Sequence, residues 1–372
     1  MTKAEIHDQI INCAYEPIIK DSVYNEGDKE RFANVFRRAL KGETITVGFF
    51  GGSITCGEVT SDHFKYGYCG RIFSWFENTF KNSTFKYLNV GISGTNSIYG
   101  VSRMRKQLLS EKPDIVFVDY IANDKDVDES KYSFEAIIRR LLKEDQQIAV
   151  LAASFWHKTE NHFPTLKFYN IPTINYFNTM KTYVDDEMVK WEELWHDTIH
   201  PNETGHKYIA TCITEYLNGI LNNLDNIGSD IPSIPENLCF GNPAFMDADL
   251  LQSDEITPTF CQGFKEAKYQ EFHEIKYFRY RTFECGEEGG IIEFEIDNLK
   301  TFSLMRIMNR NKKPAKIIID GQIFIEDDPF FDRTWDYNNA CPIFYGEIAK
   351  KRTVRIEATG NYIITGLITA SK

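Results

Sequence analysis

Ser53 sits in VGFFGGSITCG, at the end of an apolar run and directly after two glycines. A serine hydroxyl is a poor nucleophile at neutral pH unless an imidazole takes its proton during attack. His200, in WHDTIHPNETGH, can supply that imidazole, and Asp197, three residues earlier, can reach its other ring nitrogen and fix the tautomer. Attack on a carbonyl then builds an oxyanion, which needs donors already in place. The backbone N–H of Ser53, the N–H of Gly94 in NVGISGTNS and the side-chain amide of Asn123 in IAND can supply three. Together these residue types point to acyl transfer through a serine nucleophile.

Each fragment has a plainer meaning when taken alone. A Gly-Gly-Ser turn after a strand is common, an Asn-Asp pair usually caps a helix or makes an Asx-turn, and DxxH before a helix can be capping. The Ser53 segment lacks the second glycine of GxSxG, which disfavours an α/β-hydrolase elbow. NVGISG has dinucleotide-like glycine spacing but no ribose-binding acid to accompany it. The enzymatic reading therefore depends on all four segments meeting in space.

The elements between them make that meeting plausible. Apolar runs at 44–50, 85–90, 113–122, 146–154 and 171–176 are short and rich in β-branched or aromatic residues, as strands are. Between them YCGRIFSWFENTF, SIYGVSRMRKQLLS and SFEAIIRRLLKE carry apolar residues three and four apart, and HKYIATCITEYLNGIL continues the pattern after Pro201. This βαβα order predicts an α/β domain over residues 1–225, a parallel sheet with helices on both faces and an N-terminal helical extension. In such sheets ligands bind outside the carboxyl ends of the strands, where Ser53, Gly94 and Asn123 fall. LDNIGSDIPSIPEN then ends the helical region, and from residue 226 to 372 strand-like runs with period-two alternation predict a β-sandwich.

In family order, GGSIT at Ser53, NVGISG at Gly94, IAND at Asn123 and DTIHP at Asp197 and His200 resemble the four blocks of the SGNH (GDSL-type) hydrolase superfamily. The resemblance covers about residues 44–222. It implies a flavodoxin-like three-layer α/β/α domain with about five parallel strands, and ester hydrolysis through an acyl-enzyme without metal or cofactor. Two positions depart from the family pattern: Gly52 replaces the usual acidic residue before the serine, and Ile121 stands two positions before Asn123 where glycine is usual. Relatives with a GGSIT-type block and an appended β-sandwich (jelly-roll-like) resemble carbohydrate O-acetyl esterases. That implies a serine esterase acting on a short-chain, acetyl ester of a carbohydrate, with the second domain an accessory of carbohydrate-binding type. Aromatic and polar loop residues able to pack on sugar rings are Trp156 and His157, Trp195 and Trp335. A lipase or lysophospholipase of the same superfamily and a non-catalytic glycan-binding protein remain as alternatives.

Composition narrows the partners. The 372 residues are 42% hydrophobic and 14% aromatic, ample for a buried core, and the formal charge is −12 with no long basic run. Nucleic acid is therefore not expected as a partner. No apolar run reaches the roughly 18 residues of a membrane span, and the first residues, MTKAEIHDQIINCAYEP, do not read as a secretory signal. The eight cysteines lack paired CxxC spacing, which together with the N-terminus sets the expectation of reduced thiols in a cytoplasmic protein. His196, His200 and His206 fit no metal-ligand spacing. The expected partner is a small-molecule or oligosaccharide ester; homo-oligomerisation is left open.

Overall fold

The computed structural model describes the chain except residues 146, 156–160, 274–275, 333–335, 348–350 and 372, with backbone alone at 271–273 and 276–278. The chain divides into two compact units, residues 1–100 with 104–242, and residues 101–103 with 243–372.

The first unit begins with helices α1 (Lys3–Ile11) and α2 (Glu16–Asp21) and a short strand β1 (Val23–Asn25). The alternating part follows: α3 (Glu30–Leu40), β2 (Thr44–Gly51), α4 (Ser53–Cys56), α5 (Tyr68–Thr79), β3 (Thr84–Asn89), α6 (Ser97–Gln107), β4 (Ile115–Asp119), α7 (Asp128–Glu144), β5 (Ala149–Ser154), α8 (Phe163–Phe168), β6 (Thr173–Asn175), α9 (Tyr176–Asp185) and α10 (Glu203–Asn222). Strands β2 to β6 are parallel in the order β3-β2-β4-β5-β6, with β1 antiparallel on the β6 edge. This is the flavodoxin-like order, and β2, flanked by its two successors in sequence, marks the switch point. The short edge strand β1 was not anticipated, because VYN lies between two helical stretches and is only three residues long.

Both faces of the sheet are buried, so its central strands are apolar throughout rather than alternating. Val47, Phe49, Ile115 and Phe117 point into one cluster with Phe32 and Phe36 of α3, Ile72 and Phe76 of α5, and Ile209, Ile213 and Leu217 of α10. Their neighbours Phe50, Val116 and Val118 are equally buried on the other face, where α7 buries Phe134, Ile137, Ile138 and Leu141. Because the strands are parallel, the ends of β2, β3 and β4 lie along one edge.

The first unit runs on to Asn242 rather than closing at residue 225. The reason is hydrogen bonding of the linker backbone. Arg37 donates to the carbonyls of Leu224, Ile227 and Gly228, Arg31 to that of Pro232, and Arg139 to those of Pro235, Glu236 and Asn237. Glu135 accepts from the N–H groups of Cys239 and Phe240.

The second unit is antiparallel throughout. It comprises β7 (Asp249–Leu251), β8 (Phe260–Gln262), β9 (Phe264–His273), β10 (Lys276–Cys285), β11 (Gly290–Asp297), β12 (Thr301–Met308), β13 (Ala315–Ile319), β14 (Gln322–Asp327), β15 (Tyr337–Ala340), β16 (Phe344–Tyr345), β17 (Lys351–Ala358) and β18 (Tyr362–Ala370). One sheet runs β15-β12-β18-β10-β9, with β16 on β12 and β7 on β18; the other runs β14-β13-β17-β11-β8. Phe283, Leu304, Ile364 and Leu367 from the first interleave with Ile292, Phe294, Ile317 and Ile356 from the second, which is the expected β-sandwich core. No described helix of either unit is long and apolar enough to cross a membrane.

Candidate active site

Ser53 is the first residue of α4, a single turn set against the end of β2, and only 5% of it is exposed. The loop before α10 brings the other partners to it. Trp195 pairs with Pro201 in an isolated bridge, His196 N–H donates to the His200 carbonyl (2.8 Å), and Asn202 caps α10 by accepting from Thr204 and Gly205. Inside this closed loop Asp197 Oδ1 accepts the N–H groups of Ile199 and His200, each at 2.7 Å. Its Oδ2 lies 2.7 Å from His200 Nδ1, and His200 Nε2 lies 2.9 Å from Ser53 Oγ. Since a carboxylate can only accept, Nδ1 carries the ring proton and Nε2 is left to accept from the serine hydroxyl. Partial burial works against ionisation of Asp197, but the His200 N–H, the imidazole and the Ile199 N–H outweigh it and hold the carboxyl below its usual range. The structure thus joins Ser53, His200 and Asp197 in one hydrogen-bonded line.

The Asn123 amide and the turn that contains Gly94 and Thr95 lie against the Gly52–Ser53 turn. Ser53 opens α4, where backbone N–H groups have no partner within the helix. Asn123 Nδ2 donates one proton to the Thr95 carbonyl at 3.0 Å, and an amide nitrogen carries a second. Gly94 lies in the tight turn closed by Thr95 on the Ile92 carbonyl and takes φ 71, a conformation that favours glycine. Asn89, at the end of β3, ties the two sides together: its amide donates to the Thr55 carbonyl (2.7 Å) and its oxygen accepts from Gly91 (2.9 Å).

This packing accounts for Gly52. A Cβ there would stand 2.6 Å from Asn123 Nδ2 and 3.5 Å from the Thr95 carbonyl. A side chain at position 52 would therefore push on the amide next to the nucleophile. Ile121, the other departure from the family pattern, is buried in the core.

The substrate-binding candidates fare differently. Trp195 is 2% exposed, stacked on Trp191 with centroids 4.0 Å apart and packed against Tyr176 and Phe177, so it is a core residue and not a sugar platform. Its neighbour Trp191 supports the loop instead, donating from Nε1 to the Asp197 carbonyl at 2.8 Å. Trp156, His157 and Trp335 lie outside the described residues. Among the described residues no three His, Cys, Asp or Glu side chains are arranged to hold a metal ion. His206 is buried against Tyr68, accepting from its N–H at 3.2 Å.

Two further carboxylates stand at this edge, Glu58 without a recognisable sequence signal and Asp124 as the second member of the Asn-Asp pair in IAND. Glu58, five residues past the serine, reaches within 3.7 Å of His200 Nε2. Asp124, next to Asn123, accepts from Ser97 N–H (2.8 Å) and pairs with His162 Nε2 (2.6 Å) in a buried contact between segments remote in sequence.

Residues 49–208, which span Ser53 to His200, match the GDSL-like lipase/acylhydrolase family. The crystal structure of a two-domain esterase (CEX) active on acetylated mannans superposes with a TM-score of 0.84 at 23% identity, covering 95% of this chain and 99% of that one. The same esterase co-crystallized with mannopentaose gives a TM-score of 0.82 at 24% identity, covering 95% and 98%. At this identity the likeness is one of fold, and it extends over both units. No curated protein matches the chain. Residues 49–208 are therefore similar to the GDSL-like lipase/acylhydrolase family, in a chain whose second unit is a β-sandwich.

Proposed function

We propose that the protein is a serine esterase that removes a short acyl group, acetyl in the first instance, from a carbohydrate ester. The observation that carries the reading is the unbroken contact from Asp197 through His200 to Ser53 Oγ. In the reaction, Ser53 Oγ attacks the ester carbonyl carbon while His200 Nε2 takes its proton. The negative charge collecting on the carbonyl oxygen is met by the Ser53 N–H, the Gly94 N–H and the second amide proton of Asn123. Collapse of this intermediate breaks the bond to the sugar oxygen, which leaves with the proton from Nε2. Water then enters and attacks the acyl-serine carbonyl while giving a proton to Nε2; the second intermediate collapses by breaking the bond to Ser53 Oγ, which takes that proton back from Nε2 as the carboxylic acid leaves. Asp197, held ionised, stabilises the imidazolium in both halves.

The carbohydrate part of the reading leans on the two-domain architecture shared with an esterase active on acetylated mannans. It is tested by acetate release from acetylated manno-, xylo- and amino-sugar oligomers, with a medium-chain lipid ester as the control. The expected outcome is turnover of a sugar acetate in preference to the lipid ester. Ser53→Ala should lower that turnover by about 10³-fold or more while leaving the circular dichroism spectrum in place. Full activity in the alanine variant, or preference for the lipid ester, would overturn the proposal.

A further inference from the structure

Glu58 is a carboxylate at the proposed site that the Ser53–His200–Asp197 line does not use. Its Oε2 lies 3.7 Å from His200 Nε2, the nitrogen facing Ser53, whereas Asp197 holds the opposite nitrogen. The backbone goes to some length to place it there. Gly57 takes φ 91 and Val59 φ 65, and a β-branched residue in the left-handed region is a steric outlier. The surrounding bonds over-determine the turn. The Gly57 carbonyl accepts from Thr60 Oγ1 (2.6 Å) and His63 Nδ1 (3.0 Å). Ser61 donates from its N–H (3.1 Å) and hydroxyl (2.5 Å) to Glu203 Oε1, at the first turn of α10 and three residues beyond His200. The turn bearing Glu58 and the loop bearing His200 are therefore joined. Strain held in this way is concentrated at functional sites.

Resting on the esterase reading above, we propose that Glu58 selects the alcohol half of the ester, accepting a hydrogen bond from a hydroxyl on the carbon next to the one that bears the acyl group. The oxygen that leaves must come within hydrogen-bond reach of His200 Nε2 to take its proton. Glu58 stands beside that nitrogen, so the neighbouring carbon of the alcohol faces the carboxylate. A polyol offers a donor there. A simple aliphatic alcohol offers none, and a carboxylate or phosphate on that carbon meets repulsion. The side chain is about one third exposed, so its replacement leaves the core intact.

The test is a cycle of two enzymes and two substrates, read as kcat/KM for acetate release. The enzymes are wild type and Glu58→Ala. The substrates are a mono-acetylated methyl mannoside with a free hydroxyl beside the ester, and its analogue with hydrogen in place of that hydroxyl. Glu58→Ala should lose about tenfold or more on the first substrate and less than about threefold on the second, since a hydrogen bond to a charged group is lost only where its donor exists. Equal losses on both substrates would mean that Glu58 acts through His200 alone, and no loss on either would mean that it does not act; both overturn the proposal. Failure of the esterase reading looks different: wild type then releases acetate from neither substrate.

Discussion

Asp119, only 3% exposed, ends the central strand β4 beneath the turn that carries the serine, where its backbone carbonyl accepts from Gly52. Burial drives its pKa up to about 8; the Ile121 N–H and Thr55 hydroxyl oppose this, and the nearby Asp124 reinforces it. The folded chain therefore keeps this proton between its ordinary value of 3.8 and about 8, while the unfolded chain has lost it. Folding then binds a proton, so stability falls as pH rises through that window and levels off above it. Asp119→Asn removes the dependence, and its unfolding midpoint should exceed that of wild type increasingly from about pH 4 to about pH 8, with the two curves meeting at the acidic end. Thermal melts across this range check it; parallel curves would contradict the assignment. His206 contributes the opposite limb. Burial, with Arg71 nearby, pushes its pKa down from 6.5 to about 3, so stability is lost as pH falls through that interval.

Among the elements, the loop after β4 is held from three sides. Asn123 donates to Thr95, Asp124 accepts from Ser97 at the start of α6, and the segment before α8 closes on it through His162 to Asp124 (2.6 Å) and Asn161 to the Lys125 carbonyl (2.6 Å). His162 stacks on Phe134 of α7 with centroids 3.6 Å apart, which fixes its ring plane. Its expected effect is on position: His162→Ala should lower kcat by about 10- to 100-fold with little change in KM, since a donor displaced by about an ångström stabilises the oxyanion poorly. Steady-state kinetics on a soluble sugar acetate separate the two parameters. This clasp was not legible in the sequence. In FWHKTENHF, His162 reads equally as a cleft residue or a solvent-facing one, and spacing carries no sign of its partner 38 residues earlier. Asn123 was legible because its place is local, at the end of an apolar strand and in order with Ser53 and His200. Trp195 was misread for the complementary reason. An aromatic in a polar segment looks exposed until the Trp191 stack and the bridge to Pro201 turn it inward.

Across the whole chain, the parallel sheet and the sandwich follow from periodicity, which is a local property. The end of the first unit does not. LDNIGSDIPSIPEN has the composition of a free linker, and only the tertiary structure shows its carbonyls occupied by Arg31, Arg37 and Arg139 from helices far upstream. Arg139 is 6% exposed and also donates to Tyr169, so its loss strands several acceptors at once. Arg139→Ala should destabilise the first unit by at least about 2 kcal/mol, seen as a fall of about 4–8 °C in its unfolding midpoint. A shift under about 1 °C would show the linker to be a passenger. The same anchoring decides where the chain can be cut. A first unit produced alone and ending near residue 225 would strip Arg31, Arg37 and Arg139 of most of their linker acceptors, and it should express as an aggregating fragment. One ending at Asn242 carries its own fastening and should remain soluble, so the natural severance point lies after the stretch that looks most dispensable.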